Sequence, residues 1–306
     1  MMRQACAACK YQRRECTADC RLAPYFPHDQ PQHFKNVHRL FGVMNILKIL
    51  AQLHPSQKRK AIRSIKYEAK IRNRYPIHGC LGIIRTLQAH IHQSQQQLDE
   101  VNAQLSIYRE QHHQISPLPS SQCSMTYGGK PQKMTVKGGS SQACAACKYQ
   151  RRKCNTDCPL APYFPADQRK QFENAHRLFG VSNIIKILKQ LDTSQKMDAM
   201  QSIVCQANIR EKYPVHGCLG IICGLQVVIH RTQQELDAVN AQLAICREQH
   251  HQISLSSSSS PFLPIAACAR IGEQFSYSLP KPLSKSTIQC RRCHRSFYRD
   301  TPSFLE

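Results

Sequence analysis

The sequence predicts a mostly α-helical protein made of two tandem copies of one small domain, each ending in a long coiled-coil helix. Three observations carry this prediction. Residues 4–116 align without a gap with residues 142–254, and most aligned positions are identical. Each copy opens on the same four-cysteine pattern, and each closes on a long proline-free stretch with apolar residues every three or four positions. A repeat of this length is domain-sized and far longer than a solenoid repeat.

The composition is strongly basic. The 306-residue chain carries 42 Lys and Arg against 19 Asp and Glu, a formal net charge of +23. Such an excess is typical of proteins that bind a polyanion, most often nucleic acid or an anionic membrane surface. No apolar run approaches the ~18 residues that a membrane span requires, and the N-terminus has no apolar signal-peptide core. We therefore expect a soluble intracellular protein with no membrane partner.

Within each copy, the cysteine cluster precedes three helical segments. The stretch "FKNVHRLFGVMNILKILAQL", which begins at Phe34, has a helical apolar pattern that Gly42 interrupts. The stretch "SQKRKAIRSIKYEAKIRNRY" is helical until Pro76 stops it. The third and longest helix begins in "GCLGII" at Gly79.

The segments outside the two copies have a biased composition. Residues 117–141 read "PLPSSQCSMTYGGKPQKMTVKGGSS" and predict a flexible linker, because they are rich in Pro, Gly and Ser. Residues 255–306 predict a disordered, low-complexity tail. The tail holds one further cysteine pair, Cys290 and Cys293, which together with His294 would supply three metal ligands. An unstructured tail is the alternative.

The four-cysteine pattern, C-x2-C-x6-C-x3-C, predicts one zinc ion in each copy. Four thiolates match the tetrahedral sulfur coordination that zinc prefers, and the nearby Lys and Arg side chains offset the negative charge of such a centre. We expect the x2 pair to lie on one tight turn and the x3 pair on a helical turn. Two disulfides per copy are the alternative. The predicted ligands are Cys6, Cys9, Cys16 and Cys20, and Cys144, Cys147, Cys154 and Cys158.

Basic side chains fill the loop between the second and third cysteines. Arginine bonds the O6 and N7 atoms of guanine in a bidentate way, which is worth ~1–3 kcal/mol of discrimination. Contact with phosphates, or only with the zinc thiolates, is the alternative. The predicted DNA-binding residues of this loop are Lys10, Arg13 and Arg14 in copy one, and Lys148, Arg151, Arg152 and Lys153 in copy two.

Copy one carries a second basic feature, which we call the basic stripe. Its members recur at helical spacing and are Arg59, Arg63, Lys66, Lys70 and Arg74. The equivalent residues of copy two are Met197, Gln201, Val204, Asn208 and Lys212. Residues 4–116 hold 17 Lys and Arg against 7 Asp and Glu, net +10, whereas residues 142–254 hold 14 against 9, net +5. We predict that the stripe contacts phosphates, and the alternative is a solvated helix face.

The long helix of each copy has the apolar seam of a coiled coil with one polar layer. Its apolar positions are Ile84, Leu87, Ile91, Leu98, Val101 and Leu105, and Ile222, Leu225, Ile229, Leu236, Val239 and Leu243. Ser94 and Thr232 form the polar layer, where a hydroxyl can bond to a carbonyl of its own helix. A parallel pair would match every layer, and we expect pairing within one chain to exceed dimer formation at low concentration. A helix packed on its own domain is the alternative.

Taken together, the two copies resemble the plant-specific lateral organ boundaries (LOB) domain family of transcription factors. The resemblance rests on the cysteine pattern, on "APYFP" at Ala23 and Ala161, on "FENAHRLFGVSNIIKIL" at Phe172, and on "PIHGCLGII" and "PVHGCLGII" before the last helix. It implies a zinc-dependent DNA-binding cysteine block, a middle glycine–alanine–serine block, and a last helix that pairs with itself or with related LOB-domain proteins. It thus implies a nuclear plant regulator that binds GC-rich promoter elements.

The sequence departs from the family pattern at three places. Tyr75 and Tyr213 stand before proline where the family has aspartate. Met44 replaces the serine of the middle block in copy one, whereas Ser182 keeps it in copy two. The third departure is the polar layer, where the family has leucine.

The predicted function is a sequence-specific DNA-binding transcription factor. We predict that it is not an enzyme, because no nucleophile–base set, phosphate-binding loop or paired-carboxylate motif stands out. One alternative is an interaction protein that pairs with related factors and titrates them while binding DNA weakly. A further alternative is a duplication product in which one copy has decayed.

Overall fold

The computed structural model describes residues 4–112 and 143–256, and every regular element within these residues is an α-helix. This confirms the predicted fold class. The predicted linker, 117–141, and the tail cysteines Cys290 and Cys293 lie outside the described residues. Most of the predicted tail lies outside them too, although residues 255–256 continue the last helix. Among the described helices, none is by itself long and apolar enough to cross a membrane; one bent pair passes by length and composition only.

Five helices form each copy. In copy one they are α1 (Ala7–Tyr11), α2 (Pro31–Phe41), α3 (Val43–Ala51), α4 (Pro55–Arg74) and α5 (Gly79–His112). In copy two they are α6 (Ala145–Tyr149), α7 (Arg169–Phe179), α8 (Val181–Lys189), α9 (Thr193–Lys212) and α10 (Gly217–Ser256).

Proline and glycine set several of the helix boundaries. Pro31 and Pro55 each occupy the first helical position, where a missing N–H group costs no hydrogen bond. Gly42 separates α2 from α3 with a φ of 76°, and its N–H group donates to the carbonyl of His38 at 2.9 Å. Because this φ is left-handed and favours glycine, the predicted interruption at Gly42 is a sharp break between two helices.

The described residues divide into two compact units. The first comprises residues 4–88 and 143–225, and the second comprises residues 89–112 and 226–256. In the first unit, α2 packs on α4 and α7 packs on α9, around buried phenylalanines that include Phe34 and Phe172. The two copies meet in this unit, where the rings of Phe41 and Phe179 stack with centroids 5.5 Å apart and an interplanar angle of 8°. The first unit therefore has one continuous apolar core with contributions from both copies.

The second unit contains the later parts of α5 and α10. Leu98, Leu105, Leu236 and Leu243 are buried. Arg109 Nη2 donates to Gln242 Oε1 at 3.3 Å, and Arg247 Nη2 donates to Gln104 Oε1 at 2.9 Å. These two hydrogen bonds join equivalent positions reciprocally, and the Tyr108 ring contacts His250, which is equivalent to residue 112. All three contacts fit only two helix segments that run in the same direction and in register.

Candidate metal centres and nucleic-acid interface

The first cysteine pair of each copy is positioned by a short helix. Cys6 is the N-cap residue of α1, and its Sγ accepts a hydrogen bond from the N–H group of Cys9 at 3.4 Å. Cys144 and Cys147 repeat this arrangement at α6, again at 3.4 Å. The second pair lies on turns outside any helix, with the Cys20 N–H group bonded to the Thr17 carbonyl at 3.2 Å. The prediction of a helical turn for the second pair is therefore wrong. The first pair lies on the helical turn instead, because the sulfur of its first cysteine caps the helix.

The four sulfur atoms of each copy have the spacing of a metal centre. In both clusters the Sγ atoms all lie within 4.8 Å of one another. Cys20 Sγ lies 3.9 Å from Cys6 Sγ and 3.6 Å from Cys9 Sγ, and the equivalent distances in copy two are also 3.9 and 3.6 Å. Four sulfurs arranged tetrahedrally ~2.3 Å from a zinc ion lie ~3.8 Å apart, whereas bonded sulfurs lie ~2.05 Å apart. The geometry therefore fits a four-thiolate metal site, and all eight thiols are free.

The thiols of one cluster differ in acidity. Burial, together with hydrogen bonds that the Cys9 thiol donates to the other sulfurs, raises the pKa of Cys9 to about 12, and Cys147 behaves in the same way. Burial also opposes ionisation of Cys20, but hydrogen bonds from backbone N–H groups of Leu22 and Ala23 and from the Cys9 thiol lower its pKa to about 7. A metal ion that binds here must therefore displace protons from buried thiols.

The "APYFP" segment fastens each cluster to the core. The Phe26 carbonyl accepts a hydrogen bond from the Ala7 N–H group at 3.0 Å, and the buried Phe26 ring packs edge-on against Phe34 at 5.2 Å. In copy two, the Phe164 carbonyl accepts a hydrogen bond from the Ala145 N–H group, and the Phe164 ring packs edge-on against Phe172. The cysteines thus sit on a backbone that the core holds in place.

The predicted DNA-binding loop begins in the turn that ends α1. The Arg13 N–H group donates to the Lys10 carbonyl at 3.2 Å, and the Arg14 N–H group donates to the Cys9 carbonyl at 3.1 Å. This is the Schellman pattern, in which glycine usually occupies the left-handed position. Here that position holds Arg13, with a φ of 53°. In copy two Arg151 occupies it, with a φ of 51°.

All seven predicted side chains of the two loops are exposed, and none of them forms an ion pair within the described residues. A left-handed non-glycine residue costs ~1–2 kcal/mol, and each copy bears this cost at an exposed arginine.

The basic stripe lies on α4 beside the metal cluster of copy one. Arg59 and Lys70 are exposed, and Arg63 and Lys66 are half-buried. Lys66 Nζ lies 4.9 Å from the centroid of the Phe26 ring, and burial lowers the pKa of Lys66. Burial, followed by the positive charges of Lys66 and Lys70, lowers the pKa of His33 on α2. One residue of the stripe, Lys66, thus contacts the segment that fastens the cysteines.

The equivalent face of copy two differs in the charge of its side chains. All five equivalent residues line an open groove of about 400 Å³ on α9. Glu211, at the edge of α9, forms ion pairs with Arg177 and with Lys170. A hydrogen bond from Arg177 lowers the pKa of Glu211 against the opposing effect of burial. Copy two therefore presents uncharged side chains, apart from Lys212, where copy one presents five cations, and an ion-paired carboxylate lies next to Lys212.

The predicted seam residues all face inward. In the first unit Ile84 and Ile222 are buried in a small cluster with Ile71, Cys80 and Cys218, and Leu87 and Leu225 pack against that cluster. In the second unit the four leucines are buried and Ile91, Val101, Ile229 and Val239 are half-buried. Ser94 and Thr232 are buried at exposures of 2% and 5%.

Sequence reasoning missed a polar cluster between the copies, on α4 and α9. It consists of Ser64, Glu68, Arg72, Ser202, Gln206 and Arg210, and all six are buried. Arg210 Nη2 lies 2.6 Å from Glu68 Oε1. The available signal was the spacing of polar residues at i, i+4 and i+8, a helical face repeated in both copies.

Comparison with known proteins identifies the repeat. The family model for the lateral organ boundaries (LOB) domain matches residues 5–103 and 143–241. LOB domain-containing protein 27 of Arabidopsis thaliana is 60% identical over 116 residues, covering 38% of this chain and 35% of that protein. LOB domain-containing protein 22 of the same plant is 57% identical over 112 residues, covering 37% and 42%.

Protein LATERAL ORGAN BOUNDARIES of Arabidopsis thaliana is 48% identical over 118 residues, covering 39% of this chain and 61% of that protein. These alignments thus span less than two thirds of each relative. The two family matches, by contrast, cover most of the described residues, and each contains one complete cysteine cluster. The chain therefore belongs to the LOB domain family of plant transcription-factor-type proteins, with two LOB domains in tandem.

Proposed function

We propose that this chain is a sequence-specific DNA-binding transcription regulator of the nucleus rather than an enzyme. Its two LOB domains extend over 4–116 and 142–254, and the linker 117–141 and tail 255–306 complete the chain. Each domain binds one zinc ion through its four cysteines. The basic loops recognise GC-rich promoter elements, and the long helices pair with each other or with those of related LOB-domain proteins.

The observation that carries the proposal is the left-handed arginine beside each four-thiol cluster. Zinc would join the four sulfurs and so fix the loop that follows α1 or α6. Arg13 and Arg14 follow Cys9 directly through the turn, and their backbone N–H groups are held by α1 carbonyls. Because the loop is fixed before binding, the side chains lose less conformational entropy on meeting DNA. The exposed guanidinium groups are then available to guanine edges or phosphates.

The basic stripe supports a larger contact surface with DNA on copy one than on copy two. Lys66 contacts the segment that holds the cysteines, and none of Arg59, Lys66 and Lys70 forms an ion pair within the described residues, although the charge of Asp29 acts on Lys66. Cations on one helix face that outnumber the nearby carboxylates fit the phosphate backbone. Copy two lacks the stripe, so copy one supplies most of the non-specific attraction.

Fluorescence anisotropy with the full chain tests the proposal. We expect tighter binding to a GC-rich duplex than to an AT-rich duplex, and a log Kd that rises linearly with log salt. The double variant R13A/R14A should lose affinity for the GC-rich duplex by at least about tenfold. K48A/K189A, which removes the same charge from exposed positions on α3 and α8, is the matched control. Equal loss in both double variants would refute readout by the loop.

The groove and ion pairs of copy two favour a second candidate, an interaction protein that titrates related factors. In that case the chain would lower the DNA binding of a related LOB-domain protein on mixing. Its own affinity for the GC-rich duplex would equal its affinity for a random duplex. Preference for the GC-rich duplex by the chain alone would exclude this candidate.

A further inference from the structure

The polar cluster between the copies is built from equivalent residues that reach across reciprocally. Arg72 Nη2 donates to Ser202 Oγ, and Arg210 Nη2 donates to Ser64 Oγ, both at 2.7 Å. Ser64 Oγ donates to the His216 carbonyl, and Ser202 Oγ donates to the His78 carbonyl, again both at 2.7 Å. Such a pattern is self-complementary, as in a two-fold dimer interface.

One position breaks this symmetry. Copy one has Glu68 where copy two has Gln206, at exposures of 0% and 2%. Glu68 Oε1 accepts from Arg210 Nη2 at 2.6 Å and from the Cys218 N–H group at 2.9 Å. Glu68 Oε2 accepts from Gln206 Nε2 at 2.9 Å. The Gln206 carbonyl oxygen in turn accepts from Arg72 Nη2 at 3.2 Å.

Two buried guanidinium groups thus accompany one carboxylate, which bonds Arg210 directly and Arg72 only through Gln206. Arg72 and Arg210 are each 5% exposed, and the Nε atom of each has no hydrogen-bond partner. Their Nη1 atoms donate only to backbone carbonyls, such as that of Ile77 at 2.9 Å from Arg72. The approach is so close that a Cβ atom on Gly217 would lie 2.2 Å from Glu68 Oε1. Neither water nor a larger residue can replace the carboxylate here without displacement.

The alternative pairings differ in charge. Two copies of copy two would bury two guanidinium groups with two glutamines and no carboxylate. Two copies of copy one would bury two guanidinium groups with two carboxylates, which is balanced. The pair in this chain lies between these two cases, with two guanidinium groups and one carboxylate. Leaving both guanidinium groups without a carboxylate is strongly unfavourable, whereas a balanced set is tolerated.

We infer that Glu68 and Gln206 form a pairing code: copy two pairs only with a LOB surface that supplies a carboxylate at the position of Glu68. Copy one supplies it within this chain. Copy two does not pair with itself, whereas copy one keeps a charge-balanced surface that accepts either copy. The inference deepens the proposed pairing of the domains and does not depend on DNA binding.

The test compares full-length variants that differ only at these two isosteric positions. E68Q leaves two glutamines and should lower the thermal unfolding midpoint by roughly 10 °C. Q206E creates the balanced two-carboxylate pair and should change the midpoint by no more than about 3 °C. The exchange variant E68Q/Q206E restores one carboxylate from the other side and should return to within about 3 °C of wild type.

The exchange variant keeps the inference falsifiable if E68Q does not fold. A midpoint in E68Q/Q206E as low as in E68Q would show that Glu68 acts within its own copy, and would overturn the code. An unchanged midpoint in E68Q would overturn it as well. A fall in Q206E as large as in E68Q would overturn the claim that charge balance governs the choice.

A second readout reports pairing directly. A specific protease site is placed within residues 117–141, and the two halves are separated by affinity capture of one half after cleavage. We expect the halves of wild type and of E68Q/Q206E to remain together and the halves of E68Q to separate. Separation of the wild-type halves would refute the proposed pairing itself. Retention of the E68Q halves would refute only the code.

Discussion

Replacing Arg13 with glycine should make the protein more stable while weakening its binding to DNA. Arg13 has a φ of 53°, a conformation that costs a non-glycine residue ~1–2 kcal/mol and costs glycine almost nothing. Glycine also gives the unfolded chain more freedom, which offsets ~0.5–1 kcal/mol of that gain. The net expectation for R13G is a stabilisation of ~0.5–1 kcal/mol, or a rise of ~2–4 °C in the unfolding midpoint.

Arg14 provides the matched control because it is the next residue in the same loop and is also exposed. Its φ is not positive, so R14G gains no relief and should lose ~0.5–1 kcal/mol through backbone entropy alone. The conservative variant R13K keeps the strain and the charge, and should leave the midpoint unchanged. It should lose affinity for the GC-rich duplex if the guanidinium makes a bidentate contact with guanine.

The assays are thermal unfolding of the metal-loaded chain and anisotropy with the GC-rich duplex. R13G and R14G should both bind DNA more weakly, but they should move the midpoint in opposite directions. If R13G is no more stable than R14G, the left-handed position carries no strain. If R13G binds the duplex as well as wild type, the arginine is not placed there for DNA.

Three further predictions concern metal, salt and assembly. Protein purified under reducing conditions should contain about two zinc ions per chain. Chelation should unfold the cysteine-containing start of each copy, because the free energy of metal binding contributes to folding there. Disulfides between Cys6, Cys9, Cys16 and Cys20 would contradict this prediction. Replacing Arg59 and Lys70 with glutamine should reduce the slope of log K against log salt by up to ~1 per lost contact, whereas changes at Met197 and Asn208 should leave it unaltered. Light scattering over a dilution series should find a monomer mass at nanomolar protein, and a persistent dimer mass would reject pairing within one chain.

Much of the architecture was predictable because it depends on local patterns. Gly42 separates α2 from α3 because it adopts a positive φ, which favours glycine. Pro76 ends α4 because its ring disfavours the helical conformation in the preceding residue. The apolar residues that form the seam of the long helices recur every three or four positions, and this spacing can be read directly from the sequence. The four cysteines of each copy were predicted as a set because their spacing is short.

Other features depend on contacts between distant residues. No role was predicted for Arg72 from the sequence, yet this residue is buried at the interface and bonded to Ser202 and Gln206. Its spacing from Ser64 and Glu68 is the local feature that distinguishes it from Arg74, which lies two residues later and is exposed, and that spacing alone does not reveal an interface. The helical turn was likewise assigned to the wrong cysteine pair, because x2 and x3 spacings both suit a turn. Only the capping hydrogen bond at Cys6 separates them.

Two of the differences between the copies, the basic stripe and the Glu68 position, lie on opposite faces of one helix. On the outer face, α4 carries the basic stripe and α9 carries the residues that line the groove. On the inner face, α4 carries Glu68 and α9 carries Gln206, while the serines and arginines around them are the same. A free copy two would lack the cations of the stripe and the carboxylate that bonds its own Arg210. Joined to copy one in the same chain, it receives the carboxylate across the interface and keeps a complete cysteine cluster and loop. Within the proposed pairing, copy two therefore depends on a partner that supplies this carboxylate, because its buried guanidinium would otherwise have none, and the tandem arrangement provides such a partner in every chain.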